Sequence, residues 1–229
     1  MYTTLISVSD LREVLAAPGV RVLDCRFDLT DSLAGRRAYD SGHIPGAVFV
    51  DLDSQLSGPP TTDHGRHPLP SPERLASTFG ALGILPESQV VVYDAGPGSF
   101  AARAWWALQY VGHESVAVLD GGWSAWVEQG GAVSTELANP QPVAFAPTVR
   151  EEWLVVIDAV SAAPRLVDAR DPERYRGDVE PIDPVGGHIP GAVNHPFASN
   201  LGDDGRFLSS EVLRQRFEES LGGVPDTDT

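Results

Sequence analysis

Nucleophilic chemistry has few places to reside in this chain. Of 229 residues one is a cysteine, Cys25, and all 16 basic residues are arginine. Without lysine, Schiff-base chemistry and the phosphate-binding lysine loop are excluded. No Gly-x-Ser-x-Gly elbow occurs, so a serine hydrolase lacks its nucleophile. Cys25 ends an apolar run whose later counterpart carries Ala169, and it reads as a small buried hydrophobe. Asp63, His64 and His67 are metal-ligating types, yet no further ligand cluster accompanies them, and no metal is expected. Gly96-Pro97-Gly98-Ser99-Phe100-Ala101, with Asp120 beyond it, approaches a dinucleotide fingerprint. Pro97 between the glycines and Asp94 before them fit a phosphate turn poorly.

The elements that must carry these residues come in two copies. Gly42-His43-Ile44-Pro45-Gly46-Ala47-Val48 recurs identically as Gly187-His188-Ile189-Pro190-Gly191-Ala192-Val193. Val22-Leu23-Asp24-Cys25-Arg26 precedes the first heptad and Leu166-Val167-Asp168-Ala169-Arg170 the second. Leu75, Phe79 and Leu82 form a helical stripe downstream, matched by Leu213, Phe217 and Leu221. Duplication of a whole domain explains all three. Because His43 and His188 occur in both copies, they read as scaffold at a turn. The first copy predicts strands at Val20–Leu23, Ala47–Val50, Val90–Tyr93 and Val116–Leu119. Helices are predicted at Ser9–Ala16, Ser71–Leu82, Ser99–Val111 and Trp123–Gln129. Ser71-Pro72-Glu73 supplies a cap, a proline at the first helical position and an early acid. Such alternation with uniformly apolar strands implies a parallel sheet covered on both faces.

The formal charge of −16 repels phosphate backbones, so nucleic acid and anionic membranes are not expected partners. No apolar run reaches the roughly 18 residues of a membrane span. The first residues lack a basic-then-apolar leader, and the single thiol suits a reducing compartment, so a cytoplasmic location is expected.

The repeats, Val92-Tyr93-Asp94 leading to Arg103-Ala104-Trp105-Trp106, Leu119-Asp120-Gly121-Gly122-Trp123 and Glu173-Arg174-Tyr175-Arg176-Gly177 together resemble the tandem-domain rhodanese family. That family comprises the thiosulfate and 3-mercaptopyruvate sulfurtransferases. The resemblance implies an α/β fold of two rhodanese-like domains, each a parallel sheet flanked by helices, the second incomplete in this chain. Residues 1–135 are expected to form an inactive copy, 136–148 a linker, and 149–229 the first part of the catalytic copy. In the family a loop cysteine carries sulfane sulfur as a persulfide from an anionic donor to a thiophilic acceptor, without a cofactor. Asp94 stands at the cysteine position of the first copy. Gly83–Gln89 aligns with Gly222–Asp228, so roughly 45 residues of the repeat, including the nucleophile, are expected beyond Thr229. A complementing C-terminal fragment is a candidate partner. The resemblance assigns Arg174 to clamping the donor's anionic group and Arg103 to the interdomain cleft. Asp53 and His67 match a pair that assists proton transfer. Asp183 stands where the mercaptopyruvate type has a second arginine, which favours thiosulfate as donor. A catalytically inactive rhodanese-type binding or regulatory module is the alternative.

Overall fold

The computed structural model describes residues 1–60 and 65–222; Asp63, His64 and Gly223–Thr229 lie outside them. The chain divides into two compact units, Met1–Trp153 and Leu154–Thr229. The first begins β1 (Leu5–Ile6), α1 (Val8–Val14), β2 (Val20–Asp24), α2 (Ala34–Ser41) and β3 (Val48–Phe49). It continues α3 (Pro72–Ala81), β4 (Gln89–Tyr93), α4 (Ser99–Tyr110), β5 (Val116–Leu119) and α5 (Gly122–Glu128).

The strands form one sheet in the order β1-β5-β4-β2-β3, every pair parallel. β4 lies at its centre, and its alternation divides the core. Val90 and Val92 pack with Leu75 and Phe79 of α3 and Leu108 of α4. Val91 and Tyr93 pack with Leu11 of α1 and Trp126 of α5 on the opposite face. A strand buried on both sides must be apolar at every position, the reason for the Val-Val-Val-Tyr run. Ser71 caps α3 by accepting a bond from the Arg74 amide at 3.3 Å.

The predicted strands and helices of this unit all occur, with ends shifted by a residue or two. β1 and α2 are additional. β1 is a two-residue edge strand, and α2 turns only Gly35 and Tyr39 fully inward, too little apolar pattern to announce a helix. Residues 136–148, expected to be a linker, belong to this unit, and the division falls after Trp153. The Val143 amide donates to Gly80 O and the Thr148 amide to Val111 O, both at 2.9 Å. Trp153 then lies against Trp105 and Trp106, with ring centroids 6.5 and 6.3 Å away.

The second unit carries α6 (Ile157–Val160), β6 (Val167–Asp168), α7 (Pro172–Arg176), β7 (Val193–Asn194) and α8 (Ser210–Leu221). β6 and β7 pair in parallel. The Leu213, Phe217, Leu221 stripe lies on α8, which His195 ties to β7 by stacking on Phe217 at 4.0 Å and bonding Ser220 Oγ at 2.7 Å. Among the described residues no helix is long and apolar enough to cross a membrane.

Candidate functional site

β4 ends at the point where its next side chain, Asp94, leaves the sheet into a tight loop before α4. The carboxylate collects four backbone amides. Gly96 and Gly98 donate to Oδ1, each at 3.0 Å, while Phe100 and Ala101 donate to Oδ2 at 2.9 and 3.2 Å. Convergent amides at a helix start form an anion-binding nest. Here the chain's own carboxylate fills it and is almost wholly buried. Gly122 is needed beside it: a β-carbon there would stand 2.6 Å from Asp94 O, and its φ is +55°. The glycines of the Gly96–Ala101 stretch thus serve an internal carboxylate, which takes the amides of Gly96, Gly98, Phe100 and Ala101.

Cys25 lies close by and is 2% exposed. Burial first, then the charges of Asp24 and Asp94, push its thiol well above the ordinary value. A thiol held protonated and sealed from solvent is a poor nucleophile.

The heptads serve structure in both units. Asp24 accepts from Arg26 Nε and Nη2, and Arg26 Nη2 also donates to Gly42 O at 2.7 Å. Asp168 holds Arg170 in the same way, and Arg170 Nη2 reaches Gly187 O at 2.6 Å. Tyr39 stacks on His43 with centroids 3.9 Å apart and donates its hydroxyl to Ala47 O at 2.8 Å. Tyr175 repeats this with His188, at 3.7 Å, and with Ala192 O, at 2.8 Å. Each histidine's Nδ1 bonds the carbonyl of its tyrosine. The imidazoles are wedged between a turn and an aromatic ring.

Asp53 and His67, fourteen positions apart, meet at 3.0 Å through Oδ1 and Nε2. Arg103 lies at the same place. Its Nη2 donates to the carbonyls of Leu56, His67 and Pro68, and its Nε to Leu56. Burial lowers the guanidinium from its ordinary value. In this unit Arg103 is a cation that gathers the carbonyls of Leu56, His67 and Pro68, a structural use that its sequence position did not reveal.

Arg174, in the second unit, is held by two carboxylates. Its Nε and Nη2 donate to Glu180 at 3.2 and 2.8 Å, and Nη2 also donates to Asp183 at 2.9 Å. Glu180 further accepts from the amides of Ile182 and Asp183 and faces Arg170. Arg174 and these amides hold the Glu180 carboxyl down at about 2. Sequence reasoning missed Glu180; an acid six residues after a candidate anion clamp was the available signal.

A family model described as "Rhodanese-like domain" matches residues 7–129. The chain is 46% identical to a probable 3-mercaptopyruvate sulfurtransferase of Pseudomonas aeruginosa, over 96% of this chain and 80% of that protein. It is 42% identical to a putative thiosulfate sulfurtransferase of Mycobacterium tuberculosis, over 91% of this chain and 76% of that one. Its structure is similar to that of the 3-mercaptopyruvate sulfotransferase SseA of Escherichia coli, with a TM-score of 0.83 at 29% identity. That likeness covers 97% of this chain and 85% of SseA.

Proposed function

The chain belongs to the rhodanese family of thiosulfate and 3-mercaptopyruvate sulfurtransferases, and from that premise we propose that it moves sulfane sulfur through a cysteine persulfide carried beyond Thr229. It is a transferase of this type. In the proposed cycle a cysteine thiolate attacks the outer sulfur of thiosulfate. The S–S bond of the donor breaks, sulfite departs with the electron pair, and a persulfide forms. A thiophilic acceptor such as cyanide or a thiol then attacks the terminal sulfur and releases the thiolate. With 3-mercaptopyruvate the leaving group is the enolate carbon, which takes up a proton as pyruvate forms.

The observation that carries this reading is the Asp94 nest. Four amides aimed at one anion at the end of a central strand are the environment that stabilises a thiolate or persulfide. A carboxylate satisfies the same amides but cannot carry sulfur, so the first unit is the inert copy. Cys25 does not replace it, being sealed and protonated. Both units, Met1–Trp153 and Leu154–Thr229, are read as rhodanese-like domains on the strength of their shared Asp-Arg-heptad wiring. Arg174 is assigned to clamp the donor's sulfonate or carboxylate, which a guanidinium meets in bidentate fashion. Arg103 holds the backbone carbonyl of His67, which with Asp53 forms the pair assigned to proton transfer.

The test is thiosulfate:cyanide sulfur transfer by the protein that includes the residues following Thr229. Activity is expected there and absent from residues 1–229 alone, and Arg174→Ala is expected to raise the donor KM at least tenfold. Undiminished activity in Arg174→Ala rejects the clamp. The second reading, a catalytically inactive binding module, is favoured by the carboxylate-filled nest. It prevails if the longer protein also transfers no sulfur.

A further inference from the structure

The residue beside the Asp94 nest is tied down by parts that the second unit repeats. Tyr93, the last residue of β4, comes directly before Asp94 in the chain. Its hydroxyl donates to Asp24 Oδ2 at 2.6 Å and accepts from the Ile44 amide at 3.3 Å. Its carbonyl accepts from the Cys25 amide at 2.7 Å. The carboxylate that braces Arg26, and the heptad that Arg26 holds, thus also fix the strand end from which the nest starts. The second unit carries the same frame on the same register. Leu23 and Asp24 lie opposite Val48 and Phe49, as Val167 and Asp168 lie opposite Val193 and Asn194. In the first unit β4 runs along the other edge of β2, with Tyr93 opposite Asp24. The Asp168 side chain is 11% exposed. Among the described residues its carboxylate accepts from Arg170 alone, and the Ile189 amide meets no hydroxyl.

We propose that Asp168 is a positioning residue for the sulfur-carrying cysteine: its carboxylate receives the hydroxyl of the residue directly before that cysteine, as Asp24 receives that of Tyr93. The proposal rests on the reading that the cysteine lies beyond Thr229, on the counterpart of the Asp94 loop. A nest stabilises a thiolate only while its amides stay aimed at the sulfur. The sulfur is placed by the strand end before it, and a hydroxyl held between Asp168 and the Ile189 amide keeps that end in one geometry. Once it is released, the sulfur drifts within its ring of amides, and a misplacement of about 1 Å can cost on the order of a hundredfold in rate. Charge and position act in opposite directions here. Removing the Asp168 charge by itself favours the thiolate and lowers the thiol pKa, whereas loosening the nest raises it.

The test uses the protein that includes the residues following Thr229. Its readouts are thiosulfate:cyanide transfer and the pH profile of iodoacetamide alkylation at the loop thiol. The residue before the loop cysteine is expected to carry a hydroxyl. Asp168→Asn, and deletion of that hydroxyl, should each lower kcat roughly tenfold and leave the donor KM within about twofold. Each should move the alkylation profile to higher pH, and the two together should cost little more than either alone. Arg170→Gln, which takes the brace and leaves the carboxylate, should lower kcat less. An apolar residue before the cysteine overturns the proposal and leaves the persulfide reading standing. So do losses that multiply in the double variant, a profile that moves to lower pH, or Arg170→Gln matching Asp168→Asn. Should Asp168→Asn fail to fold, an unchanged kcat in the hydroxyl deletion overturns it by itself. A protein without a loop cysteine, or one that transfers no sulfur, overturns both.

Discussion

The same seven residues, with the same Asp-x-Arg partner, sit in two very different surroundings. In the first unit Asp24 and His43 are fully buried and the Arg26 side chain is 7% exposed. In the second, the Arg170 side chain is 29% exposed and His188 lies in solvent. Ile44 is wholly buried, yet its counterpart Ile189 is 54% exposed. The arginine brace and the tyrosine–histidine turn are nevertheless bonded alike in both, while Asp24 also accepts from the Tyr93 hydroxyl and Arg170 also donates to Glu180. The motif's geometry is therefore written locally, in the turn and its guanidinium brace. Its energetic weight is decided by what covers it. Among the described residues, Ala192 and His195 alone are buried in the second unit, against two full core layers in the first.

The sharpest test of that contrast removes the carboxylate that braces each arginine. Asp24→Ala strands a buried guanidinium and should cost about 3–5 kcal/mol. Asp168→Ala leaves a cation that water reaches and should cost about 1 kcal/mol or less. Equal losses in denaturant melts, or in hydrogen exchange resolved by unit, would break the comparison. A smaller difference comes from the apolar heptad position. Ile44→Ala should cost about 2–5 kcal/mol through a cavity between sheet and turn, and Ile189→Ala within about 0.5 kcal/mol of nothing. A large loss at Ile189 would mean that this face is covered in solution.

The mildest test is acid. The Glu180 carboxyl is depressed from 4.5 to about 2, chiefly by Arg174. Its contribution to the second unit is therefore fully present above about pH 4.5 and is lost as pH falls through about 2. The Glu180 carboxyl followed by NMR should titrate in that low range, moving back toward its ordinary value in Arg174→Ala. An unmoved Glu180 titration in Arg174→Ala would assign the depression to the turn's amides instead.

How much of this was legible before the fold is clearest from particular residues. β4 was readable because a central parallel strand must be apolar throughout, and α3 because Ser71-Pro72 marks a start. Asp94 was readable as a residue that cannot carry sulfur. The four amides that collect on it were not, because they come from a loop whose path depends on the Gly122 approach. The partners of Arg103 were not legible either: its guanidinium donates to carbonyls of Leu56, His67 and Pro68, 35 to 47 positions away in the chain.

The tyrosine–histidine stacks draw the line between sequence and fold. Tyr39 lies four residues before His43, whereas Tyr175 lies thirteen before His188, so no common spacing links them in the chain. Both nonetheless reach the same place on the same imidazole. The chain by itself determined the repeated heptad, the family, the helix starts, the central strands and the carboxylate at position 94. Each of these needs only neighbouring residues, their periodicity or their chemical type. Tertiary structure alone decided that Arg174 is occupied by Glu180 and Asp183, that four amides converge on Asp94, and that the two heptads differ in burial. Those depend on which distant surfaces meet, and a pairwise contact across many residues of chain leaves no periodic trace in the sequence that forms it.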